Sequence, residues 1–269
     1  MHLDVINLRG FYYRTPLGRL AQRAIRDQVA GFWDHSDGLT IAGFGFAAPL
    51  LRPFMPTARR VLCLMPAGQG VMHWPQGEEN CSSLVAEFEW PVATGAIDRL
   101  IVMHGLETSD NPSELLDEIW RVLAPGGRVI FIVPNRTGIW ARSDQTPFGY
   151  GRPYSLMQLE NQLKAHQFYI EKHRFALYAP PNHKRKWRKM GPWLETLSGN
   201  LPLPLASGVI LVEASKQVFA PTKPGLAARV KKPLAVIEGL TKPIAEPVRR
   251  RGAIGSNRNG NVPMGKDQA

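Results

Sequence analysis

The chain has 269 residues, 44% of them hydrophobic, which suits one large domain, or a domain with a tail, and allows a sizeable core. Its 33 Lys and Arg against 22 Asp and Glu give a net charge of +11, a surplus that points to an anionic partner. Two cysteines, Cys63 and Cys81, are too few for a disulfide scaffold or a zinc site, so no metal is expected. No apolar run approaches the roughly 18–20 residues of a membrane span, and the N-terminus lacks a basic stretch followed by an apolar one. Secreted, disulfide-rich and membrane-spanning classes are therefore disfavoured, and a cytoplasmic location is expected.

Leu17, Leu20, Ala24, Ile25, Val29, Phe32 and Trp33 recur at three- and four-residue spacing, with Arg19, Arg23 and Arg26 between them. This predicts an amphipathic helix from about 16 to 34 within an N-terminal extension, residues 1–35. A short strand over 38–42 then enters the glycine-rich turn Gly43-Phe44-Gly45-Phe46-Ala47-Ala48. Strand, glycine turn and helix in that order can cradle a phosphate or nucleotide. Further buried strands are predicted over 59–65, 83–88 and 98–103.

Asn111-Pro112-Ser113-Glu114 supplies an N-cap, a proline at the first helical position and a Glu three residues after the cap, ahead of Leu115, Leu116, Ile119 and Leu123 at helical spacing. That helix is expected to stop at Ala124-Pro125-Gly126-Gly127 through a left-handed glycine cap. Residues 128–133 (RVIFIV) then have the continuous apolar run of a strand covered on both faces. Alternating strands and helices imply a parallel, doubly covered sheet. Ser155-Leu156-Met157-Gln158 is a capping box opening a helix to about 166.

Residues 168–177 and 208–214 read as strands, separated by about thirty residues without a crossover helix. An antiparallel closing pair with a basic insert at about 179–207 is predicted, which ends the main domain, 36–215. Within the insert, residues 183–189 gather basic side chains around Trp187. Residues 216–269 hold eleven basic and three acidic side chains and many prolines. Such a segment cannot bury a core and is expected to be a disordered basic tail.

Gly43, Gly45 and Ala47 formally match a dinucleotide fingerprint. A dinucleotide site also wants an acid at the end of the second strand, where this chain has Met65-Pro66. The span from about 38 to 135 instead resembles the class I S-adenosylmethionine-dependent methyltransferases. The resemblance rests on Ala96-Ile97-Asp98-Arg99-Leu100-Ile101-Val102-Met103-His104-Gly105-Leu106-Glu107, on residues 115–122 (LLDEIWRV) and on Leu123-Ala124-Pro125-Gly126-Gly127-Arg128-Val129. It implies an α/β, Rossmann-like methyltransferase fold, a mostly parallel sheet with an antiparallel closing strand and helices on both faces. It also implies S-adenosyl-L-methionine as cofactor.

Carried over, the resemblance makes Gly43, Phe44, Gly45 and Ala47 the turn beside the cofactor, where a Cβ would take cofactor space. Glu87, Phe88 and Glu89 follow the third strand, where the family often sets a carboxylate against the adenine amine, and His104 would line the pocket at the exit of the fourth strand. Arg in place of Gly45 is then expected to block the site while leaving the sheet folded. Tyr12 and Tyr13 precede the first strand, where such enzymes often carry a lid, and Phe148 and Tyr150 lie in a glycine-bearing loop after the fifth strand. These four are substrate-site candidates.

Two acids usual in the family are absent, Ile41 standing two residues before the first glycine and Met65 at the end of the second strand. Two readings therefore stand. One is methyl transfer to an acceptor for which a small molecule is favoured. The other is a catalytically inactive fold that recruits RNA, an anionic membrane or a protein through residues 183–189 and 216–269. No residue is assigned as catalytic.

Overall fold

The computed structural model describes residues 3–33, 35–181 and 206–217. Its seven strands are β1 (Thr40–Gly45), β2 (Arg60–Pro66), β3 (Ser82–Val85), β4 (Ile97–Met103), β5 (Leu123–Pro134), β6 (Phe168–Ala176) and β7 (Val209–Lys216). They form one sheet in the order β3-β2-β1-β4-β5-β7-β6. The first five pair in parallel, and β7 runs antiparallel to both β5 and β6. The expected closing pair is therefore present, with β7 inserted between its neighbours. Every residue of β1 and β7 is buried, as a central strand covered on both faces requires.

One face carries the N-terminal segment, made of α1 (Val5–Arg9), a single π-helical turn (Gly10–Arg14) and α2 (Pro16–Ala30). Thr15 caps α2 by accepting from Gly18 N–H, and Pro16 occupies the first turn, where its missing donor costs nothing. Leu17, Ala21, Ile25 and Val29 bury the apolar stripe of α2 in one cluster with Ile41, Cys63, Met103 and Ile130 of the sheet. Residues 3–33 therefore share the core of the sheet. Lys172 and Arg174 of β6 hold the end of α2, donating to the carbonyls of Phe32 and Gly31 and lying 5.1 and 5.2 Å over the Phe32 ring.

The other face carries α4 (Pro112–Val122) and α5 (Leu156–Ala165) over Phe44, Leu100, Phe131 and Val212. The capping box of α5 is formed as expected, by Ser155 and Gln158. Glu118 of α4 accepts from Trp90 N–H at 2.6 Å and from Arg121 at 2.6 and 2.7 Å, which fastens the connection after β3 to this face.

Several elements depart from expectation. The helix α4 ends at Val122, and Leu123 is already extended; Gly126, at φ +74°, serves a bulge between Ile97 and Arg99 of β4 and the start of β5. The left-handed glycine is real, but it lets a strand resume pairing and does not cap a helix. The helix α3 after the glycine turn spans only Ala48–Leu51, hemmed in by Pro49 and Pro53. Lys216, expected in the tail, completes β7 with its ammonium bonded to the carbonyls of Trp120 and Leu123. Residues 183–189 and the tail from 218 lie outside the described residues. Among the described residues no helix is long and apolar enough to cross a membrane, and no group of His, Cys, Asp and Glu could hold a metal.

Candidate active site

At the exit of β1 the chain turns within van der Waals reach of β4. Gly45 adopts φ +76°, and Phe46 N–H donates to the Met103 carbonyl at 2.7 Å. A Cβ on Gly45 would lie 2.3 Å from that carbonyl oxygen, and one on Gly43 would lie 2.7 Å from the Ala47 Cβ and 2.9 Å from Leu51. Both glycines are thus required by the protein's own packing. A Cβ at either glycine would therefore strike β4, Ala47 or α3 whatever lies beyond the turn.

Directly beyond β4, His104 sits at φ 53°, a left-handed conformation unusual for a side chain of this kind, and is fully buried. Its Nδ1 lies 3.1 Å from Glu107 Oε1, and its Nε2 lies 2.7 Å from the Tyr12 hydroxyl. A carboxylate only accepts, so the network assigns the proton to Nδ1 and leaves Nε2 to accept from Tyr12 O–H. Gln69 Nε2 donates to the His104 carbonyl at 3.0 Å. The Tyr12 ring stacks on Phe46 at 5.6 Å, and Phe148 lies 5.0 Å from the imidazole and edge-on to Trp140.

Burial, and secondarily the Glu107 charge, hold the Tyr12 phenol well above its usual value of 10.0, so it remains the donor. The native state thus disfavours tyrosinate. The stabilising contribution of neutral Tyr12 is complete below about pH 10 and is lost as pH rises through the elevated native value. Tyr13 and Tyr154, raised to about 12 by burial, act in the same sense. Urea unfolding across about pH 9–11 is expected to show stability falling with pH, less steeply in Tyr12→Phe; an equal slope in that variant would refute the assignment.

Two buried polar atoms beside His104 have no protein partner, Gln69 Oε1 and Glu107 Oε2, and Ser109 Oγ, two residues after Glu107, is a third. Unpaired buried polar groups are costly and ask for a ligand or solvent. Glu107, Gln69, Ser109 and Phe46 were not singled out from the sequence. The histidine and glutamate three residues apart at a strand exit were the available signal.

The structure thus brings together Tyr12, Phe148, His104 and the turn from Gly45 to Ala47. Phe44 points to the opposite face, stacked 4.6 Å from Trp90. Glu87, Phe88 and Glu89 lie in the connection that Trp90 anchors to α4, with Phe88 packed against the cluster on that face. Tyr150 is half-buried, its hydroxyl 3.4 Å from the Asp144 carbonyl. Tyr13 faces away from His104 into a separate cleft of about 320 Å³, lined also by Arg9, Arg14, Arg52 and Trp74.

The strand order, with β7 alone reversed, defines a Rossmann-like methyltransferase fold. Residues 42–131 match the family described as Methyltransferase domain. That span is thus similar in sequence to a methyltransferase-domain family, and the sheet as a whole has the Rossmann-like methyltransferase fold. Among solved structures it is similar to the [4+2]-cyclase SpnF, at 20% identity and a TM-score of 0.53, covering 77% of this chain and 84% of that one. A possible histamine N-methyltransferase from Thermotoga maritima aligns at 12% identity and TM-score 0.55, over 79% and 96% of the two chains. An S-adenosylmethionine-dependent methyltransferase from Archaeoglobus fulgidus aligns at 14% and 0.54, over 79% and 100%. No curated protein matches the sequence.

Proposed function

We propose that the chain transfers a methyl group from S-adenosylmethionine to a small-molecule acceptor at the carboxyl edge of β1 and β4. The observation that carries this reading is the buried Tyr12–His104–Glu107 chain beside the β1 turn, whose His104 and Glu107 lie inside the span that matches the methyltransferase family. The unpartnered oxygens of Gln69, Glu107 and Ser109 fit a polar, cationic ligand. Glu107 would hold an ammonium group, and Gln69 and Ser109 would bond neighbouring polar atoms. Glu87 and Glu89 supply carboxylates at the exit of β3, as the resemblance implies. Ile41 and Met65, fully buried, leave the two usual acidic positions without a charge, which concentrates recognition on Glu107.

The bound cofactor supplies an electrophilic methyl group on sulfur. The chain supplies a proton acceptor: His104 Nε2 takes a proton from a hydroxyl placed where the Tyr12 oxygen now lies, and Glu107 stabilises the resulting imidazolium. With the Tyr12 ring moved aside to admit that hydroxyl, the buried rings of Phe46, Phe148 and Trp140 would exclude water around it, which strengthens both hydrogen bonds. Methyl transfer gains chiefly from alignment, so a fixed imidazole and dry walls are what the protein must provide.

Calorimetric titration of the full chain with S-adenosylmethionine and S-adenosylhomocysteine, with NADH as control, tests the reading. Dissociation constants on the order of micromolar are expected, weakened about tenfold or more in Glu107→Gln. No heat from either sulfur compound up to about millimolar, in a folded chain, would overturn it in favour of the catalytically inactive fold.

A further inference from the structure

The cleft beside Tyr13 is built differently from the His104 site. Its walls come from α1 and the π turn (Arg9, Tyr13, Arg14), from the turn after α3 (Arg52) and from the connection between β2 and β3 (Met72, His73, Trp74, Gln76). Three guanidinium groups on separate elements thus converge on one concavity. The acid in ion-pair contact is Glu78, 3.2 Å from Arg52 and half-exposed; among the described residues Arg9 and Arg14 have no ion-pair partner. Like charges gathered around a cleft repel one another, and an anion between them relieves that repulsion.

The apolar part of the cleft is equally specific. Trp74 is nearly buried and lines the cleft together with Tyr13 and Met72, so two aromatic side chains and a thioether share its walls. Burial raises the Tyr13 phenol to about 12, so it carries no charge that would oppose an anion at neutral pH. Guanidinium forks recognise carboxylate and phosphate oxygens through paired N–H donors, while aromatic and thioether walls accept a flat ring. A volume of about 320 Å³ accommodates one substituted ring and not a polymer segment.

We propose that this cleft is a binding site for a small aromatic anion, a ring bearing a phosphate or carboxylate, held by Arg9, Arg14 and Arg52 against Tyr13 and Trp74. The site is distinct from the carboxyl edge of β4 and does not depend on the cofactor reading, since its occupancy is measured without S-adenosylmethionine.

The test is calorimetry on the full chain with phenyl phosphate and with benzoate, beside inorganic phosphate and phenol, each carrying only one half of the recognised chemistry. At least one aromatic anion is expected to bind saturably and more tightly than either half-probe, with affinity falling as salt rises. The two aromatic anions decide between phosphate and carboxylate. The double variant Arg9→Gln, Arg14→Gln changes two exposed side chains, so its thermal midpoint should match that of the parent while affinity drops about tenfold or more. Absence of saturable binding by both aromatic anions would overturn the proposal. So would undiminished binding in the folded double variant, which would place the anion elsewhere, such as on the basic residues beyond 216.

Discussion

Gly45→Ala is expected to destabilise the domain by more than about 3 kcal/mol, enough to threaten folding. Two costs add. The left-handed backbone at φ +76° costs a non-glycine residue about 1–2 kcal/mol. The new Cβ would also stand 2.3 Å from the Met103 carbonyl oxygen, which already accepts from Phe46 N–H, so relief requires parting β1 from β4 or breaking that bond. Urea denaturation with circular dichroism measures the loss; a change below about 1 kcal/mol would show that the turn relaxes freely and that the close approach is not structural. By the same geometry Gly45→Arg fails as a selective site block, because it would unfold the sheet before it could report on a ligand.

Glu213→Ala should cost about 3 kcal/mol, through a different mechanism. Glu213 is fully buried on β7, accepts from Trp33 Nε1 at 2.8 Å and lies 3.4 Å from Arg128 and 3.6 Å from Lys172. Its removal strands the Trp33 indole N–H in the core and leaves a cavity. The two cations are partly exposed and can hydrate, which keeps the loss below that of a fully buried ion pair. Glu213→Gln retains an acceptor for Trp33 and should lose about half as much. Equal losses in the two variants would assign the effect to charge, and a negligible loss in Ala would refute the role of Glu213 in holding the Trp33 indole.

The sheet was legible because β1, β4 and β5 are long apolar runs separated by explicit stop signals, and because the stretch from residue 96 to 129 is family-specific. Local capping was legible at Ser155 for the same reason, a short-range hydrogen-bond pattern written in consecutive residues. The short α1 and the π turn were not, since Val5 and Leu8 define too few turns for a period, and Tyr12 reaches its place only through packing on Phe46. The relay was half legible. His104 was singled out and Glu107, three residues on, was within reach of a local reading, but Tyr12 lies 92 residues away, and no periodicity connects residues that meet only across a sheet edge. Phe44 misled for a simple reason: along a strand, alternate side chains face opposite sides, so adjacent residues of a motif do not share a surface.

Tyr12 and Tyr13 are consecutive residues of one π-helical turn, yet one ring is locked to His104 and the other lines the cationic cleft. Two compartments thereby share one short turn of the chain. Any occupant of one that shifts this turn must change the free energy of filling the other, and thermodynamic reciprocity makes the effect equal in both directions. A methyl-transfer centre and an anion site joined this way would behave as one linked equilibrium, with the sign of cooperativity set by whether the turn moves toward the sheet or away from it.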